Sequence, residues 1–278
     1  MIILAHDGSL YGDWVARYAL HFAAAESDRK LLVLHVLDGK IAREVVIAKL
    51  AQLEADCQAR KIDMISELLP LESSAYRSLR QAIPQAPEAL LVCGTRVKAK
   101  KHAFLRGSVA EQLLRCHRCP VLALRVLQPG LLGAPQELLL PLAGHQTGFA
   151  RIWPIFRRLA PKLLHVHLFR SLNIHHLRHA HLSPAREQLL RKVGQNYLKT
   201  IAAQLNELLP EPGFSIERRV TIASDWPNAA LVQASHLKVQ MILLGVSERN
   251  LAHRVLHSVA LERVLHEACC DVGIYRAP

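Results

Sequence analysis

The stretch Leu90–Arg125, LLVCGTRVKAKKHAFLRGSVAEQLLRCHRCPVLALR, decides the fold. It begins with a short apolar run typical of a buried strand, turns at Gly94, and continues into a basic loop. Gly107 and Ser108 then open an amphipathic segment, and Val121–Val126 predicts another buried strand. Glycines at a strand's carboxyl end and a helix's amino end let backbone amides approach an anion closely. The pattern therefore indicates a phosphate cradle and an anionic small ligand.

Upstream of this stretch, short apolar runs alternate with segments that have helical spacing of apolar residues. The predicted strands are Ile2–His6, Leu31–Leu37 and Ile62–Leu69, and the predicted helices are Tyr11–Ala25, Ile41–Arg60 and Tyr76–Ile83. Such alternation favours a parallel sheet with helices on both faces. Ligands of such sheets bind at the carboxyl ends of the strands, where the strand order reverses.

After residue 127 the same pattern begins again. Gln128–Gln136 contains two prolines and two glycines and is typical of a linker. Aligning Gly94–Arg125 with Gly245–Arg276 needs no gap and pairs identical residues at eight of 32 positions. We infer an internal duplication, with domains at residues 1–127 and 137–278. The second domain is predicted to have strands Glu137–Ala143, Lys162–Leu168, Phe214–Ile222 and Gln240–Val246, and a long helix Ala185–Leu209.

The second copy lacks the residues that carry the predicted chemistry. Ala143 falls where Asp7 stands, and Ser258 replaces Gly107. Glu248 occupies a position in the phosphate loop, where its negative charge would repel a phosphate. We therefore predict that residues 137–278 form a degenerate structural or regulatory partner of the first domain.

The first copy resembles the universal stress protein family, whose phosphate-binding signature is Gly-x2-Gly-x9-Gly-Ser/Thr. Gly94, Gly107 and Ser108 match this signature, whereas Val97 stands at its second glycine. The stretches IILAHDGS, KLLVLHV and CPVLALR resemble the family's first, second and fifth strands. The resemblance covers roughly the first 127 residues.

The resemblance implies an α/β fold of the adenine nucleotide alpha hydrolase type, with two tandem five-stranded parallel sheets in the order 3-2-1-4-5. It also implies that the fifth strands, Val121–Val126 and Val272–Arg276, pair within the chain; further pairing into homodimers stays open. The implied ligand is ATP or a related adenine nucleotide, with or without Mg²⁺. Its implied contacts are Ala5, Asp7, Val36, Gly94, Thr95, Arg96, Val97, Gly107, Ser108 and Val109.

Each of these residues also has a structural interpretation. Asp7 contacts adenine or ribose, or it caps the following turn. Gly107 and Ser108 bind phosphate, or they form an ordinary helix N-cap. Val36 contacts the base through its backbone or packs in the core. The Cβ atom of Val97 would keep the backbone from closing on a triphosphate, so a protein-interaction module without nucleotide is an alternative.

The composition limits the other classes of function. A chain of 278 residues with 51% hydrophobic and 21% charged residues is typical of globular domains. It shows no signal peptide and no run of about 20 apolar residues, so we expect a cytoplasmic protein without membrane spans. The formal charge of +12 would suit nucleic acid, but the basic residues are scattered, which makes nucleic-acid binding the weaker alternative.

Catalysis and metal binding have little support in the sequence. Asp7 is the only acid in the predicted crevice, and no nucleophile with a neighbouring base is recognisable, so we predict no enzyme, or at most a slow ATPase. The single pair Cys116-x-x-Cys119 would suit metal or redox chemistry, but it lacks a second pair. The histidine-rich segment has no accompanying carboxylate; its members are His175, His176, His179 and His181.

Overall fold

The computed structural model describes residues 1–95, 105, 107–116, 118–144, 148–174, 183–209, 212–246 and 256–277. The strands are β1 (Ile2–Ala5), β2 (Lys30–Leu37), β3 (Asp63–Pro70), β4 (Leu90–Gly94), β5 (Val121–Arg125), β6 (Glu137–Pro141), β7 (His165–Asn173), β8 (Ser215–Ala223), β9 (Met241–Val246) and β10 (Asp271–Arg276). The helices are α1 (Leu10–Ala25), α2 (Arg43–Ala59), α3 (Ala75–Ala82), α4 (Val109–Leu114), α5 (Gly148–Leu159), α6 (Pro184–Leu208), α7 (Trp226–His236) and α8 (Leu256–Glu267).

All ten strands join one sheet in the order β3-β2-β1-β4-β5-β10-β9-β6-β7-β8. Each half therefore has the order 3-2-1-4-5, and the predicted fold class is confirmed. The pairs within each half are parallel, whereas β5 and β10 pair antiparallel. The mostly parallel arrangement follows from helices that cross between successive strands.

The strand registers reproduce the internal alignment. Ile2 pairs with Leu90 in the first half, and Leu138 pairs with Met241 in the second. Gly94 follows Leu90 by four residues, and Gly245 follows Met241 by four residues. The two aligned glycines therefore lie at equivalent positions of β4 and β9. The duplication inferred from the sequence is thus a structural repeat.

The core lies on both faces of the sheet because successive strand residues point to opposite sides. Ile2 and Leu4 belong to one buried cluster, which α1, α2, α5 and α6 cover, while Ile3 belongs to the other, which α3, α4, α7 and α8 cover. Since both faces are buried, the inner strands are apolar throughout their length. This is why the predicted strands read as continuous apolar runs.

Serine side chains define where several helices begin. The N-caps of α1, α3, α4 and α6 are Ser9, Ser74, Ser108 and Ser183, and each hydroxyl accepts a hydrogen bond from a backbone amide of the first turn. These caps satisfy amides that have no partner within the helix. The helix starts predicted from the sequence accordingly agree with the structure to within two residues.

One predicted strand begins later than expected. The sequence predicts the second strand of the second domain at Lys162–Leu168, but β7 spans His165–Asn173. Residues Ala160–Lys162 instead form a turn of 3-10 helix that contains Pro161. Proline lacks the amide that a strand would donate, so the chain enters the sheet only after this turn.

The two halves join through reciprocal arginine contacts beside the antiparallel β5–β10 pair. Arg125 donates a hydrogen bond to the carbonyl of Ala268, which follows α8, at 3.0 Å. Arg276, its counterpart in the alignment, donates to the carbonyls of Leu114 and Cys116 at the end of α4, at 3.0 and 2.6 Å. Each arginine therefore satisfies helix-terminal carbonyls of the other half.

A buried carboxylate also connects the halves. Asp271, at the start of β10, accepts a hydrogen bond from the hydroxyl of Tyr18 at 2.6 Å. Its other oxygen accepts from the amides of Leu127 and Gln128 at 2.7 and 2.8 Å. Because Asp271 is fully buried, these three donors replace the water that an exposed carboxylate would have.

Replacing Asp271 with alanine should lower the free energy of unfolding by at least about 3 kcal/mol, because three donors, two of them backbone amides, would be left unsatisfied in the interior. The measurement is urea denaturation followed by circular dichroism. Asp63→Ala, at an exposed position, is the control and should change stability by less than about 0.5 kcal/mol. A similar loss in both variants would contradict the role of Asp271.

Stability should also depend on pH through His21 of α1. Burial, with Lys162 and Arg60 nearby, lowers the pKa of His21 from 6.5 to about 4. Between these two pKa values His21 is protonated in the unfolded chain and neutral in the folded chain. The free energy of unfolding should therefore fall by roughly 3 kcal/mol as the pH is lowered from 6.5 to 4. Urea titrations across this range should show a flatter profile for His21→Gln; an unchanged slope would rule the contribution out.

Candidate functional site

The crevice predicted in the first half lies where β1 and β4 are neighbours. Ala5, at the end of β1, pairs in register with Cys93 of β4. Asp7 and Gly94 therefore leave adjacent strands at the same edge of the sheet. This is the point at which the strand order reverses in this half, and it is the usual position of a ligand in such folds.

Asp7 begins a tight turn before α1. One of its carboxylate oxygens accepts hydrogen bonds from the amide and the hydroxyl of Ser9, at 3.0 and 2.6 Å. Gly8 has a φ of +77°, and a Cβ atom there would lie 3.1 Å from His35. The Asp7-Gly8-Ser9 segment thus has the capping interpretation that the sequence left open, and Asp7 remains exposed at the crevice.

A polar network underlies this turn. The Nδ1 atom of His6 accepts a hydrogen bond from the amide of Gly8 at 3.0 Å, so the ring proton must be on Nε2, which lies 3.1 Å from a carboxylate oxygen of Asp13. Lys49 of α2 forms an ion pair with the same carboxylate. Burial alone would raise the pKa of Asp13, but the hydrogen bonds from His6 and Lys49 outweigh it and lower that pKa.

Gly94 makes room for α1. A Cβ atom at this position would lie 3.0 Å from the ring of Tyr11 and 3.1 Å from Val15. The Tyr11 hydroxyl donates to the carbonyl of Thr95 at 2.7 Å and accepts from the amide of Val126 at 2.7 Å. The absence of a side chain at Gly94 is therefore used for helix packing, a role that the sequence did not reveal.

Thr95 follows directly and is almost fully buried, with 1% of its surface exposed. Its amide donates to the carbonyl of Leu124 at 2.7 Å. Within the described part of the chain, its hydroxyl oxygen is buried and has no hydrogen-bond partner. A polar atom of a ligand in the crevice would satisfy this hydroxyl.

Gly107 and Ser108 form a capping arrangement at the start of α4. The Ser108 hydroxyl accepts from the amide of Glu111 at 3.0 Å. In return, the Glu111 carboxylate accepts from the amide of Gly107 at 2.6 Å, and its other oxygen lies 2.8 Å from Arg115. Gly107 has a φ of +67°, a conformation that favours glycine. The Glu111 carboxylate is thus hydrogen-bonded to the amide that the family resemblance assigns to a phosphate.

A second carboxylate reaches the same loop from the other half. Glu262 of α8 accepts a hydrogen bond from the amide of Leu105 at 2.7 Å. Glu262 is the counterpart of Glu111 in the internal alignment, and through this bond it contacts the other half of the chain. Both glutamates escaped the sequence analysis; the spacing Ser108-x-x-Glu111, typical of a capping box, was the signal for one of them.

The remaining predicted contacts have varied surroundings. Val36 is 8% exposed and packs in one of the two buried clusters, in keeping with its core interpretation. Ala5 and Val109 are partly exposed. Arg96 and Val97 lie outside the described residues. The contacts of the basic loop, and the effect of Val97 on the approach of a triphosphate, therefore stay predictions.

The described residues offer no metal centre and no membrane span. They contain no group of three or more metal-binding side chains, and none of their helices is long and apolar enough to cross a bilayer. Cys116 and Cys119 are buried free thiols, and burial raises the pKa of Cys119 to about 11. The four histidines of the segment 175–181 lie outside the described residues.

Comparison with known families identifies the first half. Residues 1–125 match the sequence model of the Universal stress protein family. The match is confined to the first half and covers less than half of the chain. A search of curated proteins gave no match for the chain.

Solved structures extend the likeness over both halves, at the level of the fold. A universal stress protein from Archaeoglobus fulgidus is 14% identical, with 100% of this chain and 98% of that chain covered and a TM-score of 0.59. A functionally unknown protein from Pseudomonas aeruginosa PAO1 is 15% identical, with 99% and 92% covered and a TM-score of 0.61. The cytoplasmic domain of a prokaryotic cation chloride cotransporter is 11% identical, with 99% and 93% covered and a TM-score of 0.60.

In the first half, Tyr11→Phe should lower the free energy of unfolding by about 2 kcal/mol, because the amide of Val126 and the carbonyl of Thr95 lose a buried partner. Chemical denaturation measures the change. Tyr76→Phe, on α3, serves as the control, since the structure gives that hydroxyl no hydrogen bond within the described residues. Equal stability of the two variants would show that the hydrogen bonds of the Tyr11 hydroxyl do not stabilise the fold.

Proposed function

We propose that this is a stress-response or regulatory protein whose first domain, residues 1–127, binds ATP or a related adenine nucleotide. The ligand would occupy the carboxyl ends of β1 and β4, in contact with the ten residues predicted from the sequence. Residues 128–136 would act as the linker, and residues 137–278 would form the second, degenerate domain. The match of residues 1–125 to the sequence model of the Universal stress protein family supports this proposal.

The observation that carries the proposal is the carboxylate at Gly107. An anionic oxygen of Glu111 lies 2.6 Å from the Gly107 amide, which shows that this amide faces a position suited to negative charge. A phosphate oxygen would take that position when nucleotide binds. Glu111 would then retain Arg115 as a partner, since the two already form an ion pair at 2.8 Å. Nucleotide and Glu111 therefore compete for one amide.

Glu111→Gln should raise the affinity for ATP by about tenfold, because the neutral amide no longer repels the phosphates at short range. Isothermal titration calorimetry with ATP and Mg²⁺ measures the effect. Glu44→Gln, at an exposed position of α2, removes the same charge far from the loop and should leave affinity unchanged. Gly107→Val should abolish binding, because its branched side chain would occupy the place of the phosphate.

An affinity that rises equally in Glu111→Gln and Glu44→Gln would point to the overall charge of the protein and not to competition at Gly107. Affinity that persists in Gly107→Val would place the nucleotide elsewhere. Mass spectrometry of small molecules released on denaturation adds an independent readout, because a resident nucleotide should be present in the wild-type protein and absent from Gly107→Val.

A second function, a protein-interaction module without nucleotide, is favoured by the same pair of carboxylates. Glu111 and Glu262 accept hydrogen bonds from the amides of Gly107 and Leu105, so these two amides have partners without a ligand. The two functions give different results in one experiment. If neither the wild-type protein nor Glu111→Gln takes up ATP, the interaction module is the function that remains.

A further inference from the structure

We propose that the second half binds an amphipathic monoanion, a molecule with an apolar body and a single carboxylate, in its own cavity. The cavity has a volume of about 600 Å³ and opens at the carboxyl ends of β6, β7 and β9. Its size falls within the range of about 300–1,000 Å³ that is usual for small-molecule sites. The proposal concerns a different half and a different ligand class from the nucleotide site, and it does not depend on that site.

The cavity lies where the strand order of the second half reverses, between β6 and β9. It is thus the structural counterpart of the crevice in the first half. The registers make the correspondence specific: Ile2 pairs with Leu31, and Leu138 pairs with Val166, so Ser171 of β7 stands where Val36 stands in β2. The duplication has kept the position of a ligand site while the residues around it have changed.

The lining is mainly apolar and includes two aromatic rings. Of the fifteen described residues that line the cavity, three carry polar side chains, Arg170, Ser171 and Asn173. Phe169 and Trp226 supply the rings. An open cleft of this size, with a mainly apolar lining and a few polar groups, is typical of small-molecule sites.

A single positive charge faces this apolar space. Arg170 is the only cationic residue among the described lining residues. Its guanidinium donates to the carbonyl of Leu142 at 3.0 Å and lies 5.5 Å from the ring centre of Tyr197, and no carboxylate of the described residues forms an ion pair with it. The described lining residues offer a triphosphate only one cation, whereas one carboxylate would match this charge.

The backbone is shaped to admit this arginine. Gly144 has a φ of +86°, and a Cβ atom there would lie 2.2 Å from the Arg170 guanidinium. A side chain at position 144 would require the guanidinium, the flexible end of Arg170, to shift, and the positive φ itself favours glycine. The arginine is also half-buried, and burial lowers its pKa despite the opposing effect of Tyr197, so the surroundings leave its charge poorly compensated.

Ser171 supplies the second polar group. Its hydroxyl oxygen is buried, lines the cavity, and has no hydrogen-bond partner among the residues that the structure describes. A buried hydroxyl without a partner is uncommon in a native protein, and a ligand atom is one way to satisfy it. Arg170 and Ser171 are adjacent in β7 and point to opposite faces of the sheet, so a ligand that contacts both would lie beyond the end of β6, which stops at Pro141 opposite Phe169.

The test is isothermal titration calorimetry of the full chain with dodecanoate, kept below its micelle concentration. Dodecanoate should bind at one site per chain. Dodecanol, which has the same chain length and no charge, should bind at least tenfold more weakly, and ATP should not displace dodecanoate. Equal binding of dodecanol, absence of dodecanoate binding, or displacement by ATP would each overturn the proposal.

Two variants test separately the charge of Arg170 and the volume of the cavity. Arg170→Gln should weaken dodecanoate at least tenfold and leave dodecanol unchanged. Ser171→Phe should fill the cavity and abolish binding of both, whereas Val232→Phe, an exposed control position on α7, should bind like the wild-type protein. Loss of binding in Val232→Phe, or full binding in both cavity variants, would contradict the assignment.

Tryptophan fluorescence locates the ligand without relying on the folding of Ser171→Phe. Trp226 lines the cavity, whereas the other tryptophans, Trp14 and Trp153, do not. A brominated dodecanoate should quench the wild-type protein, because bromine quenches nearby indoles. Trp226→Phe should lose this quenching while calorimetry still detects binding. Quenching that persists in Trp226→Phe would place the ligand outside the cavity and overturn the proposal.

Discussion

The antiparallel pairing of β5 with β10 is the contact on which the rest of the molecule depends. Without it, each half would expose an apolar edge strand with unpaired backbone groups, which is a template for aggregation. Pairing the two edges buries both and creates one continuous sheet. Arg125, Arg276 and Asp271 then form polar contacts across the junction, where they satisfy helix-terminal carbonyls and backbone amides. The junction is therefore both apolar and hydrogen-bonded.

At this junction, equivalent helices of the two halves make different contacts. The helices α4 and α8 occupy the same place in their repeats, yet Glu111 caps its own loop and Glu262 crosses to the loop of the first half. The two edges at the carboxyl ends of the strands differ as well: the first half has polar turns, whereas the described residues of the second form an apolar cavity with one arginine in its lining. A duplicated scaffold keeps its hydrogen-bonded framework, while the residues at the strand ends are free to diverge.

Much of the fold could be predicted because its signals are local. Continuous apolar runs indicated buried strands, and Gly107 and Ser108 indicated the start of α4. The late start of β7 could not be predicted as readily, since it depends on a 3-10 turn at Pro161. At the candidate site, the glycines and the serine stood out in the sequence, and the spacing Ser108-x-x-Glu111 was a local signal for Glu111. The contact of Glu262 with Leu105 had no such signal, because it joins residues far apart in the chain.

The sequence by itself determined the repeat, the order of strands and helices, and the edge of the sheet at which ligands are expected, because periodicity and turn chemistry are properties of neighbouring residues. Only the tertiary structure decided which groups meet at that edge. Tyr11 fills the space beside Gly94, Glu262 reaches Leu105 from another helix, and Gly144 admits Arg170. These contacts join residues far apart in the chain, and packing in three dimensions, which no local pattern encodes, selects them.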